Sequence, residues 1–356
     1  MISKSRGRIS IFGEHSDWLI EYKGIGSSIP DEIIGLSSSI DLGMEYEIES
    51  LDTPKFIFIE TFNGENIEID MDYNCAYDLN FTSEERLIFW AVKMVTDYIL
   101  AFKEYDSYQY ITGCQVKVKD CSLPVNKGLA SSTSLISTVI ESILKVNNIE
   151  LFPLSELVYY AESEATPSIG KLDMIVTESP GIRVVRYNSM DKTVKYENDI
   201  LGSGNFFMKN RLAIIDIGKK STSTDNILKA LQSPFEHQFG YIMKKTISNL
   251  FGETTTNFSK LGMRAIREND IEFLGILMWE FQKMYDHELR SLRPYISKYV
   301  LDPVANKFLK IGLMDGAIYG GKCMGSHGDT AILVAIKDFE KLEWFVKTSG
   351  YKLYLL

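Results

Sequence analysis

The sequence predicts an α+β protein made of two lobes. Three observations support this fold class. Strand and helix patterns are interspersed through the first half of the 356 residues without strict alternation, and a polar, glycine-containing stretch follows at Ser189–Gly204. The second half then has its own order of strands and helices. Since a domain usually contains about 100–200 residues, we expect one lobe in 1–200 and the other in 201–356.

The first half is predicted to contain five strands and three helices. Alternating or β-branched runs predict strands at Ile9–Phe12, Met44–Glu49, Phe56–Glu60, Ile67–Met71 and Gln115–Lys119. The first helix begins after Thr82, which lies three residues before Glu85 in the pattern of a capping box. The second follows Ser131, and the third runs from about Pro153 to Glu164 with proline in its first turn.

The second half begins with a predicted strand, followed by several helices, two strands, a helix and a last strand. In order these are Arg211–Ile217, helices within about 224–312, the strands Ala317–Met324 and Thr330–Ile336, a helix at about 338–348 and the strand Tyr351–Leu355. The order β-α-β-β-α-β, with extra helices inserted, is typical of a ferredoxin-like lobe.

Composition limits the classes of partner. The chain has 38 Lys and Arg against 48 Asp and Glu, a net charge of −10. Without a long basic block this argues against nucleic-acid binding, but not against a local pocket for a phosphorylated small molecule. No apolar run approaches the roughly 20 residues of a membrane helix, and the N-terminus lacks the apolar part of a signal peptide. The four cysteines are far apart and lack zinc-site spacing, so we expect a cytoplasmic protein.

The most specific segment is Pro124–Ser134, with the sequence PVNKGLASSTS, between a predicted strand and a predicted helix. Its small residues allow successive backbone N–H groups to face one point, and the helix N-terminus adds partial positive charge, so the segment is suited to phosphate. A hydroxyl here is also a suitable ligand for Mg²⁺, which prefers oxygen. The alternative is an ordinary helix N-cap after a turn, because serine and threonine are common caps.

A second segment, Gly7–Trp18, places an apolar strand before a glycine and then Glu14, His15 and Asp17. Three polar side chains that lie close together at a strand end are able to hydrogen-bond several hydroxyl groups of a sugar. The alternative is a polar turn whose only role is to end the strand.

A third segment, Gly320–Thr330, is rich in glycine and lies between two predicted strands. It nearly matches a Walker A loop, with Gly316, Gly321 and Lys322 in register, but Cys323 occupies the Ser/Thr position and no helix follows. We therefore reject a P-loop NTPase. The alternative for this segment by itself is a glycine-rich hairpin.

In this order and at these separations, the segments resemble the conserved motifs of the GHMP kinase family, which includes galactokinase, homoserine kinase, mevalonate kinase and phosphomevalonate kinase. Gly7–Trp18 is most similar to motif 1 of galactokinases, Pro124–Ser134 is similar to motif 2, and Gly320–Thr330 lies where motif 3 is expected. Ile40–Gly43 and Asp216–Thr222 are further similar stretches. The resemblance covers nearly the whole chain. It implies an N-terminal lobe like ribosomal protein S5 domain 2, a ferredoxin-like C-terminal lobe, and a cleft between them for ATP and an acceptor.

The resemblance implies an ATP- and Mg²⁺-dependent kinase whose motif 2 wraps the triphosphate. The implied ATP-binding residues are Pro124, Gly128, Leu129, Ala130, Ser131 and Ser132. Ser132 also matches a hydroxyl that binds Mg²⁺, and Glu162 is the best match for the acidic Mg²⁺ ligand, with Glu164 as the alternate. A solvated carboxylate on a helix surface is the other interpretation of Glu162.

The resemblance also implies which residues do the chemistry. Asp173 matches the catalytic aspartate of galactokinases and would accept the proton of the attacking hydroxyl or hold that hydroxyl by a hydrogen bond. Arg8 matches the basic residue of motif 1, which would keep Asp173 ionised and stabilise the transferring phosphoryl group. Glu14, His15 and Asp17 match the sugar-contacting residues of galactokinase. Asp17 favours a sugar, because mevalonate kinases usually lack it.

The implied function is transfer of the γ-phosphoryl group of ATP to a hydroxyl of a sugar or sugar derivative, the anomeric hydroxyl included. The alternatives are a mevalonate-type, polyol or amino-alcohol kinase of the same family, and a non-catalytic sugar or nucleotide sensor on the same fold. The chain is expected to be a monomer or a homodimer without nucleic-acid or membrane partners.

Three departures from the family motifs bear on these alternatives. Ala130 replaces glycine or serine in motif 2, which is tolerable if this residue needs no positive φ. The extra residues Glu21–Asp31 follow motif 1 and would reshape the acceptor pocket. Ser326–Asp329 replaces Ala-Gly-Gly-Gly in motif 3, and two bulky polar residues beside a triphosphate are expected to alter nucleotide binding.

Overall fold

The computed structural model describes residues 1–24, 28–60, 66–70, 81–125, 127–150, 154–166, 170–177, 180–197, 211–218, 223–236, 240–292 and 301–356. The strands are β1 (Ile2–Lys4), β2 (Gly7–Phe12), β3 (Glu32–Ile40), β4 (Met44–Leu51), β5 (Lys55–Ile59), β6 (Ile67–Asp70), β7 (Gly113–Cys121), β8 (Ile182–Asn188), β9 (Thr193–Glu197), β10 (Leu212–Asp216), β11 (Ile318–Cys323), β12 (Ala331–Ile336) and β13 (Lys352–Leu355).

The helices follow the same chain order. They are α1 (Ser16–Leu19), α2 (Ser83–Lys103), α3 (Ser131–Val146), α4 (Leu154–Ala165), α5 (Leu172–Thr177), α6 (Thr224–Glu236), α7 (Tyr241–Ser248), α8 (Thr255–Arg267), α9 (Ile271–Ser291), α10 (Pro303–Met314) and α11 (Phe339–Thr348). A π-helical turn, Asn249–Thr254, joins α7 to α8.

Two sheets form the N-terminal lobe. The first has the strand order β1-β4-β7-β5-β6, in which β5 and β7 are parallel and the other neighbours antiparallel. The second has the order β2-β3-β8-β9 with antiparallel neighbours. Apolar side chains of α2, α3 and α4 form one buried core with Tyr46 and Phe56 of the first sheet. Burial of this apolar surface is the main force that holds the helices to the sheet.

A third sheet forms the C-terminal lobe, with the order β13-β10-β12-β11 and antiparallel neighbours. The first and last strands of the lobe therefore pair with each other, and helices connect β10 to β11 and β12 to β13. This arrangement confirms the predicted β-α-β-β-α-β lobe and the two-lobed α+β class.

The two lobes share a buried core where they meet. Phe12 and Leu36 of the N-terminal lobe belong to the same cluster as Phe281 and Leu333 of the C-terminal lobe. The ring of Phe12 lies 5.5 Å from that of Phe281 and 5.7 Å from that of Phe258, measured between centroids. Edge-on and tilted ring contacts at this separation are stabilising. The end of β2 is thus fixed against the C-terminal lobe.

The strands and helices predicted from the sequence are confirmed to within a few residues. The capping box is present in full: the N–H of Glu85 donates to Oγ1 of Thr82 over 3.2 Å, and the N–H of Thr82 donates to Oε2 of Glu85 over 2.7 Å. Met71 and Pro153, at the ends of a predicted strand and a predicted helix, lie outside the described residues.

Sequence patterns alone miss β1, β3, β8 and β9. In β3 the residues Ser37, Ser38 and Ser39 are all buried, so neither alternation nor an apolar run marks the strand. Hydrogen bonds compensate the burial of these hydroxyls: Ser37 donates to Oγ of Ser10, and Ser38 donates to the carbonyl of Gly181.

The predicted boundary region contains regular structure. The strand β9 lies within Ser189–Gly204, so this stretch is more than a linker, and residues 198–210 lie outside the described part of the chain. The division into lobes at 200 therefore stays a prediction. None of the described helices is long and apolar enough to span a membrane.

Candidate active site

The loop between β7 and α3 ends in a helix N-terminus whose N-cap residue makes no side-chain cap hydrogen bond. The N-cap residue is Ala130, and Ser131 and Ser132 lie inside the first turn of α3. The first N–H groups of a helix have no intrahelical acceptor, so this end of α3 offers donors to a phosphate. The alternative of a serine-capped or threonine-capped helix is wrong for this segment.

Backbone conformation in this loop departs from one expectation. Gly128 has a φ of 71°, and Ala130 also has a positive φ, of 62°. Left-handed backbone costs a residue with a Cβ about 1–2 kcal/mol, so Ala130 is strained where glycine would not be. Pro124 and Leu129 are buried, and the carbonyl of Leu129 accepts a hydrogen bond of 3.0 Å from the N–H of Arg8. The loop is therefore held by β2.

Glu162, in α4, reaches the first turn of α3. Its Oε1 accepts from Oγ of Ser132 over 2.5 Å, and its Oε2 accepts from Oγ1 of Thr133 over 2.8 Å. Burial raises the pKa of Glu162 to about 7, against the hydrogen bonds from Ser132 and Thr133, which lower it. The solvated-surface interpretation of Glu162 is therefore wrong, whereas Glu164 is exposed. A buried carboxylate beside a partly exposed serine hydroxyl is an all-oxygen donor set that fits Mg²⁺.

Arg8 and Asp173 form an ion pair between β2 and α5. Nε of Arg8 donates to Oδ1 of Asp173 over 2.7 Å, and Nη2 lies 2.5 Å from the same oxygen. Nη1 of Arg8 donates to the carbonyl of Gly128 over 3.2 Å. The side chain of Arg8 is 8% exposed and that of Asp173 is 27% exposed, so the carboxylate keeps partial access to solvent. Arg8 thus joins the loop between β7 and α3, which we call the phosphate loop, to the predicted catalytic aspartate.

Asp17 lies beside this pair, against the start of α5. Its side chain accepts from the N–H of Leu172 over 3.3 Å and from its neighbour Trp18 over 3.0 Å. Burial, and then the charge of Asp173, raise the pKa of Asp17 to about 6. Gly170 is required by this contact, because a Cβ at this position would lie 1.6 Å from Oδ2 of Asp17.

Glu14 is bound by Lys322, a residue of β11 that motif matching did not assign to the site. Nζ of Lys322 lies 2.5 Å from Oε1 of Glu14 and donates to the carbonyl of Ser10 over 3.3 Å. The side chains of Lys322 and Glu14 are 0% and 4% exposed. Oε2 of Glu14 is buried without a hydrogen-bond partner in the described part of the chain. The pair therefore connects the two lobes and does not face open solvent.

His15 follows Glu14 in a left-handed conformation, with a φ of 69°. Its Nδ1 accepts a hydrogen bond of 3.0 Å from Nε1 of Trp18, and its ring centroid lies 4.8 Å from that of Phe251. Phe251 belongs to the π-helical turn, a type of irregularity that often occurs at functional sites. The structure thus brings the three predicted acceptor residues together at the end of β2, but Glu14 and His15 are buried and Asp17 is partly exposed.

The altered residues of motif 3 are directed into the C-terminal lobe. Nδ1 of His327 lies 2.6 Å from Oδ2 of Asp302, and His327 is fully buried. The side chain of Asp329 accepts from the N–H groups of Val304 and Ala305 at the start of α10. Both side chains are therefore engaged within the C-terminal lobe, and their expected effect on nucleotide binding stays a prediction.

The phosphate loop also contacts the C-terminal lobe at the end of β10. Nζ of Lys127 lies 2.5 Å from Oδ1 of Asp216 and also donates to the carbonyl of Gly218. The side chains of this ion pair are 13% and 14% exposed. Ser221 and Thr222, in the same family-like stretch, lie outside the described residues.

Known proteins resemble this chain in fold more than in sequence. No protein-family model matches the sequence, and no curated protein does. Among solved structures, the mevalonate kinase of Methanococcus jannaschii superposes with a TM-score of 0.70 at 18% identity, over 99% of this chain and 96% of that one. The galactokinase of Lactococcus lactis, solved with galactose, gives 0.67 at 16% identity, over 99% and 92%.

The superposition on a third solved structure spans the full length of this chain and of the other protein. The phosphomevalonate kinase of Streptococcus pneumoniae, solved with phosphomevalonate and AMPPNP, gives a TM-score of 0.68 at 12% identity over 100% of each chain. All three are GHMP kinases. At sequence identities this low, the structural superpositions are informative about the fold and not about the activity. The comparisons therefore confirm what the motif resemblance implied about architecture: this chain has the two-lobed GHMP kinase fold.

Proposed function

We propose that the protein is an ATP- and Mg²⁺-dependent kinase that phosphorylates a hydroxyl group of a small molecule. The observation that carries this proposal is the ion pair between Arg8 and Asp173, which contacts the carbonyl of Gly128 in the phosphate loop. The three groups come from β2, α5 and the loop before α3, so their meeting is a property of the fold and not of a local sequence pattern.

In this mechanism the backbone N–H groups at the start of α3 hold the phosphates of ATP. Asp173 accepts the proton of the acceptor hydroxyl while the hydroxyl oxygen forms a bond to the γ-phosphorus of ATP. The bond between the γ-phosphorus and the oxygen that bridges to the β-phosphate breaks, and ADP leaves. Arg8 orients Asp173 through its guanidinium fork and adds positive charge beside the transferring group.

The residues placed to hold Mg²⁺ are Ser132 and Glu162. Mg²⁺ would neutralise charge on the β- and γ-phosphates. The two side chains share a hydrogen bond of 2.5 Å, so their oxygens already lie close together. Glu162 would hold the ion as an ionised carboxylate, because carboxyl ligands of a metal must be deprotonated.

We assign the acceptor contact to Asp17 and a lobe-joining role to Glu14. The resemblance gave both residues to the acceptor, but Glu14 is paired with Lys322, whereas Asp17 is partly exposed beside Asp173. A carboxylate in this position suits a hydroxyl of a sugar or sugar derivative, and the hydroxyl that receives the phosphoryl group includes the anomeric one. A mevalonate-type, polyol or amino-alcohol acceptor is the alternative.

The contacts of the altered motif 3 support the kinase over the sensor hypothesis. It depended on the altered motif 3, and the side chains of His327 and Asp329 are engaged within the C-terminal lobe. We propose a cytoplasmic monomer or homodimer. The free thiols of Cys114, Cys121 and Cys323 agree with a reducing compartment, and Cys75 lies outside the described residues.

A coupled ADP-release screen tests the proposal. The purified protein would be mixed with MgATP and, one at a time, free sugars, polyols, mevalonate and amino alcohols, and the phosphorylated position would be determined by NMR. We expect acceptor-dependent ADP release with at least one member of the panel. Binding of AMPPNP or of a sugar in calorimetry, together with no ADP release for any acceptor, would favour the sensor.

A further inference from the structure

We propose that His327 is a positioning residue for the nucleotide site, which it serves by fixing the loop 324–330 against the phosphate loop. This inference rests on the proposed kinase function. His327 stands where the GHMP motif has glycine, and a fully buried histidine in a glycine-rich loop calls for a physical role.

The backbone of this loop is strained in a way that needs support. Positive φ angles occur at Gly325, His327, Gly328 and Asp329, with values of 62°, 64°, 74° and 57°. Glycine adopts such angles freely, but histidine and aspartate do so at a cost. Strained residues persist where the surrounding contacts determine their conformation.

Asp302, directly before α10, supplies much of this support. It is fully buried and accepts from His327 through Oδ2 over 2.6 Å and from the N–H of Asp329 through Oδ1 over 3.0 Å. In return, the side chain of Asp329 accepts from the N–H groups of Val304 and Ala305 over 3.0 and 2.8 Å. These reciprocal hydrogen bonds, which we call the loop clamp, join His327 and Asp329 of the loop to the start of α10.

The ring of His327 is also fixed by stacking. Its centroid lies 3.7 Å from that of Tyr285 in α9, and the two planes differ by 9°. Tyr285 is fully buried. Since Asp302 fixes the ring edge and Tyr285 fixes the ring face, the side chain of His327 has one position, and the backbone attached to it is held accordingly.

The clamped loop contacts the phosphate loop without a side chain between them. A Cβ on Gly128 would lie 2.7 Å from Cα of Gly325, and a Cβ on Gly325 would lie 2.5 Å from Cα of Gly128. A shift of Gly325 therefore moves or releases Gly128, whose carbonyl accepts from Nη1 of Arg8. Through this contact the loop clamp sets the shape of the proposed ATP site.

A metal site is the competing explanation for the same residues. Asp302, Cys323 and His327 each offer a ligand atom within 4.8 Å of the others. However, the carboxylate of Asp302 already accepts three hydrogen bonds, from His327, Asp329 and Gln282. Burial raises the pKa of the Cys323 thiol well above its usual value, so it is a neutral thiol. Hydrogen bonds therefore already engage Asp302 and Nδ1 of His327, whereas Nε2 of His327 is buried without a hydrogen-bond partner in the described part of the chain.

Affinity for MgAMPPNP, measured by calorimetry, tests the proposal. We expect His327→Ala to weaken binding about tenfold, because the loop loses a charge-assisted hydrogen bond and a ring contact. His327→Asn should bind within about twofold of the unaltered protein, since asparagine keeps a donor near Nδ1 and tolerates positive φ. Asp329→Ala removes the bonds to α10 without opening a buried cavity, so it keeps the proposal testable if His327→Ala does not fold. It should also weaken binding.

Asp338→Ala is the matched control. Asp338 caps α11 by accepting from the N–H of Lys341, so its loss should lower the unfolding temperature without changing nucleotide affinity. Unchanged affinity in both His327→Ala and Asp329→Ala would overturn the proposal, as would stoichiometric zinc in the purified protein that is lost in His327→Ala. Failure of the unaltered protein to bind MgAMPPNP would instead contradict the proposed function.

Discussion

Nε of Arg8 in β2 donates to Oδ1 of Asp173 in α5 over 2.7 Å, although the two residues are 165 positions apart in the chain. The same guanidinium donates to the carbonyl of Gly128, so a single side chain connects the proposed base to the phosphate loop. The planar guanidinium donates hydrogen bonds to both acceptors from fixed positions, and the single ammonium group of a lysine on its flexible side chain does not reproduce this geometry.

Arg8→Lys tests this relationship. Lysine keeps the positive charge but not the fork, so we expect kcat to fall about 10²-fold while the affinity for AMPPNP changes little. Steady-state kinetics and calorimetry would measure the two quantities. If Arg8→Lys retained full kcat, Arg8 would supply only charge, and its orienting role would be wrong.

The raised pKa of Asp17 predicts how stability depends on pH. Burial and Asp173 raise this pKa from 3.8 to about 6, so the folded state binds the proton more tightly than the unfolded state does. The contribution of Asp17 to stability is therefore fully present below the unfolded value and is lost as pH rises through about 6. Asp17→Asn removes this titration, so its unfolding free energy should rise relative to that of the unaltered protein by about 2–3 kcal/mol between pH 4 and pH 7.

Denaturant unfolding of the two proteins at several pH values measures this difference. Comparison of the pair cancels the titration of all other groups. A difference in unfolding free energy that stays constant from pH 4 to pH 7 would show that Asp17 titrates at its ordinary value.

The buried pair of Glu14 and Lys322 predicts a strong coupling in stability. Glu14→Gln or Lys322→Met leaves one buried charge without its partner, so each should cost about 3–5 kcal/mol in unfolding free energy. The double variant removes both charges and should cost clearly less than the sum of the two. A double variant that costs as much as the sum of the two single variants would mean that the two charges do not stabilise each other in the folded protein.

Much of the fold and the centre of the site could be predicted from the sequence. Local patterns mark the C-terminal sheet and the capping box at Thr82, because periodicity and caps depend on nearby residues. The motif resemblance gave Arg8, Asp173, Ser132 and Glu162, and the structure places the first two in contact and the last two in contact.

The remaining features depend on contacts between distant residues. Lys322 pairs with Glu14 across 308 positions, and no local pattern indicates which lysine of a soluble protein is buried. The inward direction of His327 depends in the same way on Asp302 and Tyr285, which come from other elements. The positive φ of Ala130 is a further example, because it is set by the path of the loop and not by the conformational preference of alanine.

Acceptor-dependent ADP release by Asp173→Asn tests the central claim most directly. Asparagine keeps the size of the side chain and a hydrogen-bond acceptor for Arg8 but accepts no proton, so the fold and the AMPPNP affinity should be retained. We predict a loss of turnover of about 10³-fold or more with every acceptor that the unaltered protein phosphorylates. Turnover equal to that of the unaltered protein would contradict the assignment of Asp173 as the base and, with it, the proposed mechanism.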